Sequence, residues 1–161
     1  MSSVCVNATV TVSLFAASTT ELGVLASFMQ GLRADDPMPA GTLADDATAV
    51  SAMSDLIANP SLGRVWMIQL NDAPVGYAVL TFVHSIEFGG KCAFIDELYV
   101  EPDARGRGVG QSAIKLIAVE AKKLQVRLLL LEVSPENERA ARLYGRVGFV
   151  PRKYRLMTQL L

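Results

Sequence analysis

Apolar residues recur at helical spacing in four stretches of this chain, and they alternate or run together in the stretches between. Residues 4–15 alternate Val, Thr, Ser and small residues, which predicts an opening strand. Ser18-Thr-Thr-Glu21 has the spacing of a capping box, and Leu22, Leu25, Ala26, Met29 and Leu32 then mark one helix face. Asp35-Asp-Pro-Met-Pro39 ends that helix, because proline restricts the residue before it and supplies no N–H. Thr42 is placed to cap a second helix, with Asp45 and Asp46 in its first turn and Ala47, Val50, Met53 (or Ser54) and Ile57 along it. Asn59-Pro60 stops it. Three short apolar runs follow, at 65–70, 75–83 and 92–100, separated by turn residues at 71–74 and 88–91, so an antiparallel meander is expected.

From Val109, apolar residues at Ala113, Leu116, Ile117, Ala121 and Leu124 predict a long amphipathic helix. Residues 126–133 are apolar without alternation, as a strand covered on both faces would be. A fourth helix is expected over 137–146, ended by Gly148, and a closing strand over 154–161. Only the segment 92–133 independently demands a strand–helix–strand crossover with parallel strands.

The junction before the long helix carries the most specific chemistry. Ile95-Asp-Glu-Leu-Tyr-Val100 runs through a Pro/Asp turn into Arg105-Gly-Arg-Gly-Val-Gly110. Glycines at 106, 108 and 110 let several backbone N–H groups converge, the helix aims its positive end there, and Arg105 and Arg107 add charge. This is a cradle for a diphosphate, or else an ordinary surface turn. A P-loop would need Gly-Lys-Ser/Thr, whereas Gly110 is followed by Gln111 and Ser112. Gly108, Gly110 and Ala113 fit the dinucleotide pattern G-x-G-x-x-A, with Glu132 near the place of a ribose-binding acid, but Glu101 to Arg107 intervene between strand and loop.

Arg105, Gly108 and Gly110, read as Arg-x-x-Gly-x-Gly after a strand ending Leu-Tyr-Val, resemble the pyrophosphate motif of the GNAT superfamily, the acetyl-CoA-dependent N-acetyltransferases. Downstream, Leu131-Glu-Val133 and Asn137-Glu-Arg-Ala-Ala-Arg-Leu-Tyr144-Gly-Arg-Val-Gly148-Phe149 resemble the family's strand, helix start, tyrosine and terminal Gly-Phe. The resemblance implies a single N-acetyltransferase domain over residues 1–161 of α/β (α+β) class: a mixed, mostly antiparallel central sheet flanked by helices, in the order β-α-α-β-β-β-α-β-α-β.

It also implies direct transfer of an acetyl group from acetyl-CoA to a primary amine of a small molecule or a protein, without a metal. Tyr144 matches the acid beside the departing sulfur; otherwise it is a packing aromatic. The backbone of Leu98, Tyr99 and Val100 is expected along the pantetheine, with one N–H polarising the thioester carbonyl and Asn137 on the other side. Arg105, Gly106, Arg107, Gly108, Val109, Gly110 and Gln111 are expected around the diphosphate.

A free alkylamine has a pKa of roughly 10.4, so a base or a desolvating pocket must help remove its proton. Polyamine-acetylating members carry an acidic pair at Asp96 and Glu97, and ribosomal-protein N-terminal acetyltransferases use an acid at the place of Glu132. Glu97 is preferred as base, acting through one water, with Asp96 and Glu132 as acceptor contacts; each also suits a strand-end acid paired with Arg or Lys. As strand neighbours, Asp96 and Glu97 should face opposite sides of the sheet. Asp35, Asp36, Asp45 and Asp46 would offer negative charge to a cationic acceptor, or are simply solvated. His84 reads as a surface or packed residue, and Trp66, Met67 and Phe82 read as core.

Composition narrows the alternatives. At 161 residues and 51% hydrophobic, with no repeat or linker, one domain with a sizeable core is expected. A net charge of −1 gives no general attraction to nucleic acid or an anionic membrane. No apolar run reaches the ~20 residues of a membrane span, and 10–17 reads as strand rather than signal peptide. Cys5 and Cys92 show no metal-ligand spacing, so a reduced, cytoplasmic setting is expected. Many members are homodimers, and a homodimer is carried as an expectation. A CoA-binding sensor or interaction module that has lost turnover is the competing function.

Overall fold

The computed structural model describes residues 2–7, 10–38 and 43–159, with side chains from residue 11 onward. Six strands form one sheet in sequence order: β1 (Ser2–Asn7), β2 (Val10–Ala16), β3 (Gly63–Leu70), β4 (Ala73–Ser85), β5 (Gly90–Val100) and β6 (Leu129–Leu130). The first four pairings are antiparallel and only β5–β6 is parallel. The helices are α1 (Leu22–Asp35), α2 (Asp46–Ala58), α3 (Val109–Lys123) and α4 (Glu138–Arg146).

Strand alternation divides the core into two layers. Trp66, Ile68 and Leu70 of β3, Ala78 and Leu80 of β4 and Ala93 and Ile95 of β5 pack under α3, whose Val109, Ala113, Leu116 and Ile117 are buried. The intervening residues Val65, Met67, Tyr77, Val79 and Tyr99 face α1 and α2, meeting Leu25, Phe28, Met29 and Met53. The expected faces of α1 and α3 are thus the buried ones, and Trp66 and Met67 are core on opposite sides. Phe82 is only partly buried, with Lys91 Nζ 4.2 Å from its ring centre, and His84 is exposed.

Local chemistry accounts for the helix starts. Glu21 Oε2 accepts from Ser18 N–H at 2.7 Å, and Ser18 Oγ accepts from Thr20 N–H, completing the anticipated box ahead of α1. For α2 the cap is Asp45, whose Oδ1 accepts from Thr48 N–H at 2.8 Å; Thr42 lies outside the described residues.

Four expectations change. The opening strand is a hairpin, with Asn7 opposite Val10, because a turn-favouring Asn interrupts the Val/Thr run. The strand expected over 126–133 shrinks to Leu129–Leu130 and is half-exposed rather than covered on both faces, since its ladder with β5 holds only at Ala93–Leu129 and Phe94–Leu130. Residues 154–159 are not a strand: among the described residues no ladder partner reaches them, and Tyr154 and Met157 are 80% and 90% exposed, while Leu160 and Leu161 lie outside the described residues. The observed order is therefore β-β-α-α-β-β-β-α-β-α over the described residues.

The fourth concerns Asp96 and Glu97. Val79 pairs with Glu97 and Leu80 with Ile95, so Asp96 is the extra residue of a β-bulge. Ile95 and Leu98 both pack toward α3, and the bulge leaves Asp96 and Glu97 together on the cleft between them. They are not separated by the sheet.

Candidate active site

The parallel pair β5–β6 opens a cleft. Ala93 N–H reaches Leu128 O at 3.0 Å and Arg127 N–H reaches Lys91 O at 2.9 Å, and the register ends at Phe94–Leu130. Beyond it the strands part. Glu101 N–H turns toward β4, donating to Val75 O at 2.8 Å. By alternation, Leu98 and Val100 turn their backbone groups to the open edge. This edge lines a cleft of about 1220 Å³ together with the glycine loop, residues 132–134 and one face of α4.

The glycine loop closes one end. A short 3₁₀ turn, Pro102–Ala104, separates it from β5, and Gly106 and Gly108 have φ of +75° and +79°. Side chains rarely adopt that conformation, and glycine does so without a Cβ penalty. Gly108 is the N-cap of α3, and Ser112 N–H makes the first backbone bond, to Gly108 O at 3.0 Å. The N–H groups of Val109, Gly110 and Gln111 therefore lie in the helix's unpaired first turn, and all three residues line the cleft.

The two loop arginines differ. Arg105 Nε donates to Val100 O at 2.6 Å, its Nη2 is paired with Asp35 of α1, and its guanidinium lies over the Tyr99 ring. It lines the cleft already engaged, and it occupies one of the carbonyls expected to meet pantetheine. Arg107 is exposed and is not among the residues that line the cleft.

Across the cleft, Asn137 Oδ1 accepts from Ala140 N–H at 3.0 Å and caps α4. Tyr144 lies in the last turn of this helix, its ring edge-on to Phe149 at 5.9 Å. Gly148, with φ +97°, turns the chain so that Phe149 N–H returns to Tyr144 O at 3.0 Å. No hydrogen bond to the Tyr144 hydroxyl occurs among the described residues. Burial raises that hydroxyl's pKa above the ordinary phenol range, and the Asp36 charge adds to the rise, so it stays protonated at neutral pH.

On the α1 side, Glu97 Oε2 accepts from the Tyr77 hydroxyl at 2.8 Å. Burial raises the Glu97 pKa, the Asp96 charge adds to this, and the Tyr77 bond and the Arg33 charge oppose it. Asp96 is raised by partial burial alone. Glu132 lines the cleft from an exposed position.

The cleft thus gathers every residue expected for cosubstrate and catalysis except Arg107, and of the four aspartates offered to the acceptor it gathers Asp35 and Asp36 but not Asp45, which caps α2, or Asp46, which pairs with Arg33. It also gathers Arg139, Leu143 and Arg146, which the sequence reading passed over. Their spacing of four and three residues was the available sign that they share a face of α4. An open strand edge, converging N–H groups and a protonated phenol in one cleft with the partly buried Glu97 carboxylate can hold an extended amide-bearing chain with a diphosphate, and can move protons at a bond between them.

Comparison with known proteins agrees with this geometry. Over 86 residues the chain is 36% identical to an uncharacterized N-acetyltransferase of Methanocaldococcus jannaschii, covering 52% of this chain and 38% of that one. Over 74 residues it is 35% identical to the thialysine N-epsilon-acetyltransferase of Bos taurus, covering 46% and 43%. The matched stretch spans about two fifths of the length of these curated relatives. An integron cassette protein from the mobile metagenome of Cole Harbour Salt Marsh superposes with a TM-score of 0.78 at 32% identity, over 92% of this chain and 90% of that one. Residues 26–149, which hold the bulged strand, the glycine loop and the Tyr144 helix, match the Acetyltransferase (GNAT) family, and the chain belongs to it.

Proposed function

We propose that residues 1–161 act as a single N-acetyltransferase domain moving an acetyl group from acetyl-CoA to a primary amine by direct transfer. The observation that carries this reading is the open edge of β5 leading into the unpaired first turn of α3, with Tyr144 opposite. Leu98 and Val100 bond the amides of pantetheine as an added strand would, and the N–H groups of Val109, Gly110 and Gln111 take the diphosphate. Arg105 supplies charge to it once released from Asp35, and Arg107 reaches only the outer phosphate region.

Acetyl-CoA brings the acyl group already activated as a thioester. Glu97, through one water, takes a proton from the acceptor ammonium, and the neutral nitrogen bonds the acyl carbon as the carbon–sulfur bond breaks. Tyr144 gives its proton to the departing sulfur, and the second proton of the acylated nitrogen returns to the phenolate, leaving a neutral amide and free thiol. Asp96 and Glu132 meet the acceptor. An acceptor carrying its amine on a lysine-like or diamine chain suits the carboxylates Asp35, Asp36, Asp96 and Glu97 that line the cleft, and the Bos taurus relative is named for thialysine. A protein lysine or N-terminus presents the same amine. The setting is cytoplasmic, in keeping with a buried free thiol at Cys92, and a homodimer is the assembly proposed. Among the described residues no helix is long and apolar enough to cross a membrane.

Isothermal titration with acetyl-CoA, and with NADH alongside, tests the reading first. Heat from acetyl-CoA alone, followed by thiol release with an amine panel, supports it. NADH binding alone would restore the dinucleotide alternative. Acetyl-CoA binding without turnover on any amine would favour a CoA-binding sensor or interaction module.

A further inference from the structure

We propose that Tyr77 is a positioning residue for Glu97, holding one carboxylate oxygen so that the other serves the acceptor in the cleft. The inference rests on the reading of Glu97 as base. Tyr77 is fully buried on β4, two residues before the step at Val79–Leu80 that faces the β5 bulge, and among the described residues its hydroxyl has one hydrogen-bond partner, Glu97 Oε2 at 2.8 Å. Its ring is held from two sides, by Phe28 of α1 at 6.4 Å and Tyr99 of β5 at 6.4 Å between centres. Close packing holds a side chain so enclosed in place, and its bond fixes one oxygen of the carboxylate.

The same bond decides the charge of Glu97. The groups acting on this carboxylate are Tyr77 from β4, Asp96 from β5 and Arg33 from α1, the last tied to Asp46 of α2 at 2.6 Å. Burial and Asp96 favour the neutral acid, while Tyr77 and Arg33 favour the carboxylate. Burial and the Glu97 charge push the phenol far above its ordinary range, so Tyr77 remains a donor at every working pH. Without that donor the carboxylate would take up a proton at higher pH and lose its fixed orientation.

The test is Tyr77→Phe, which removes one oxygen and keeps the ring. Carbon-13 NMR of the labelled Glu97 carboxyl should show its titration moving up by about one pH unit, the scale of one hydrogen bond to a charged group. The acid limb of kcat/KM should move with it, kcat at neutral pH should fall about tenfold, and acetyl-CoA affinity should hold. A stationary Glu97 titration overturns the positioning role. Unchanged amine turnover in Glu97→Gln instead overturns the base reading and the catalytic half of this proposal. Should Tyr77→Phe not fold, ζ-carbon-labelled tyrosine in the unsubstituted protein decides the matter. The Tyr77 signal must follow the Glu97 titration, and a signal indifferent to it overturns the proposal.

Discussion

Tyr144 and Glu97 are perturbed in the same direction by the same cause, and the consequence differs because one is a phenol and the other a carboxyl. Burial raises both. A phenol raised above its ordinary pKa of about 10 is a proton donor throughout the neutral range. Tyr144→Phe should therefore lower kcat by about 10²-fold while acetyl-CoA affinity, read by titration calorimetry, stays within error. Equal losses in both would make Tyr144 a packing residue. A carboxyl raised above about 4.3 must lose its proton before it can act as base. The acid limb of kcat/KM should lie above that value and vanish in Glu97→Gln, and a limb that persists there belongs to another group. The bulge at Asp96 is the residue-scale feature that strand alternation could not anticipate.

Between elements, two of the contacts that α1 makes around the site carry predictions. Asp35 at its C-terminal end pairs with Arg105, so acetyl-CoA must break that pair if its diphosphate is to recruit the guanidinium. Both partners are partly solvated, and an exposed pair contributes about 0–1 kcal/mol. Asp35→Ala should tighten acetyl-CoA by up to about fivefold, on that scale. Unchanged affinity would mean that Arg105 stays on Val100 O and serves the loop's shape instead. One turn earlier, a Cβ on Gly31 would stand 2.3 Å from the Tyr99 hydroxyl oxygen and 2.6 Å from Cζ, within a buried ring that cannot swing clear. Gly31→Ala should cost about 1–3 kcal/mol in urea unfolding by forcing α1 off the sheet. In the loop itself, Gly108→Glu combines a left-handed φ of +79° with a like charge against the diphosphate and should abolish acetyl-CoA binding.

Across the whole molecule, the sheet is paired at one end and parted at the other, and hydrogen exchange should map that difference. The amide of Ala93, bonded to Leu128 O, should be protected with or without acetyl-CoA. The amides of Leu98 and Val100 should exchange freely and become protected on binding. Protection at both before acetyl-CoA is added would mean the cleft is closed in solution. The helices, the meander and the glycine loop were legible from the chain because each is governed by local chemistry: the Ser18 box, the buried stripe of α3, the proline at 37 and the glycines at 106 and 108. The family was legible too, since a diphosphate loop and the Tyr144 helix need particular residues at particular separations. Less legible was anything that depends on a partner distant in sequence. A strand needs a neighbour to pair with, so 126–133 keeps only two strand residues and 154–159 none, although both runs have strand composition. Likewise, only the fold brings Asp35 to Arg105, 70 residues away, and Tyr77 to Glu97, and only the bulge puts two adjacent carboxylates in one cleft. The sequence by itself determined the family, because its motifs depend on residues close together in the chain. Tertiary structure decided which side chains are free to act, because pairing and burial are properties of neighbours in space.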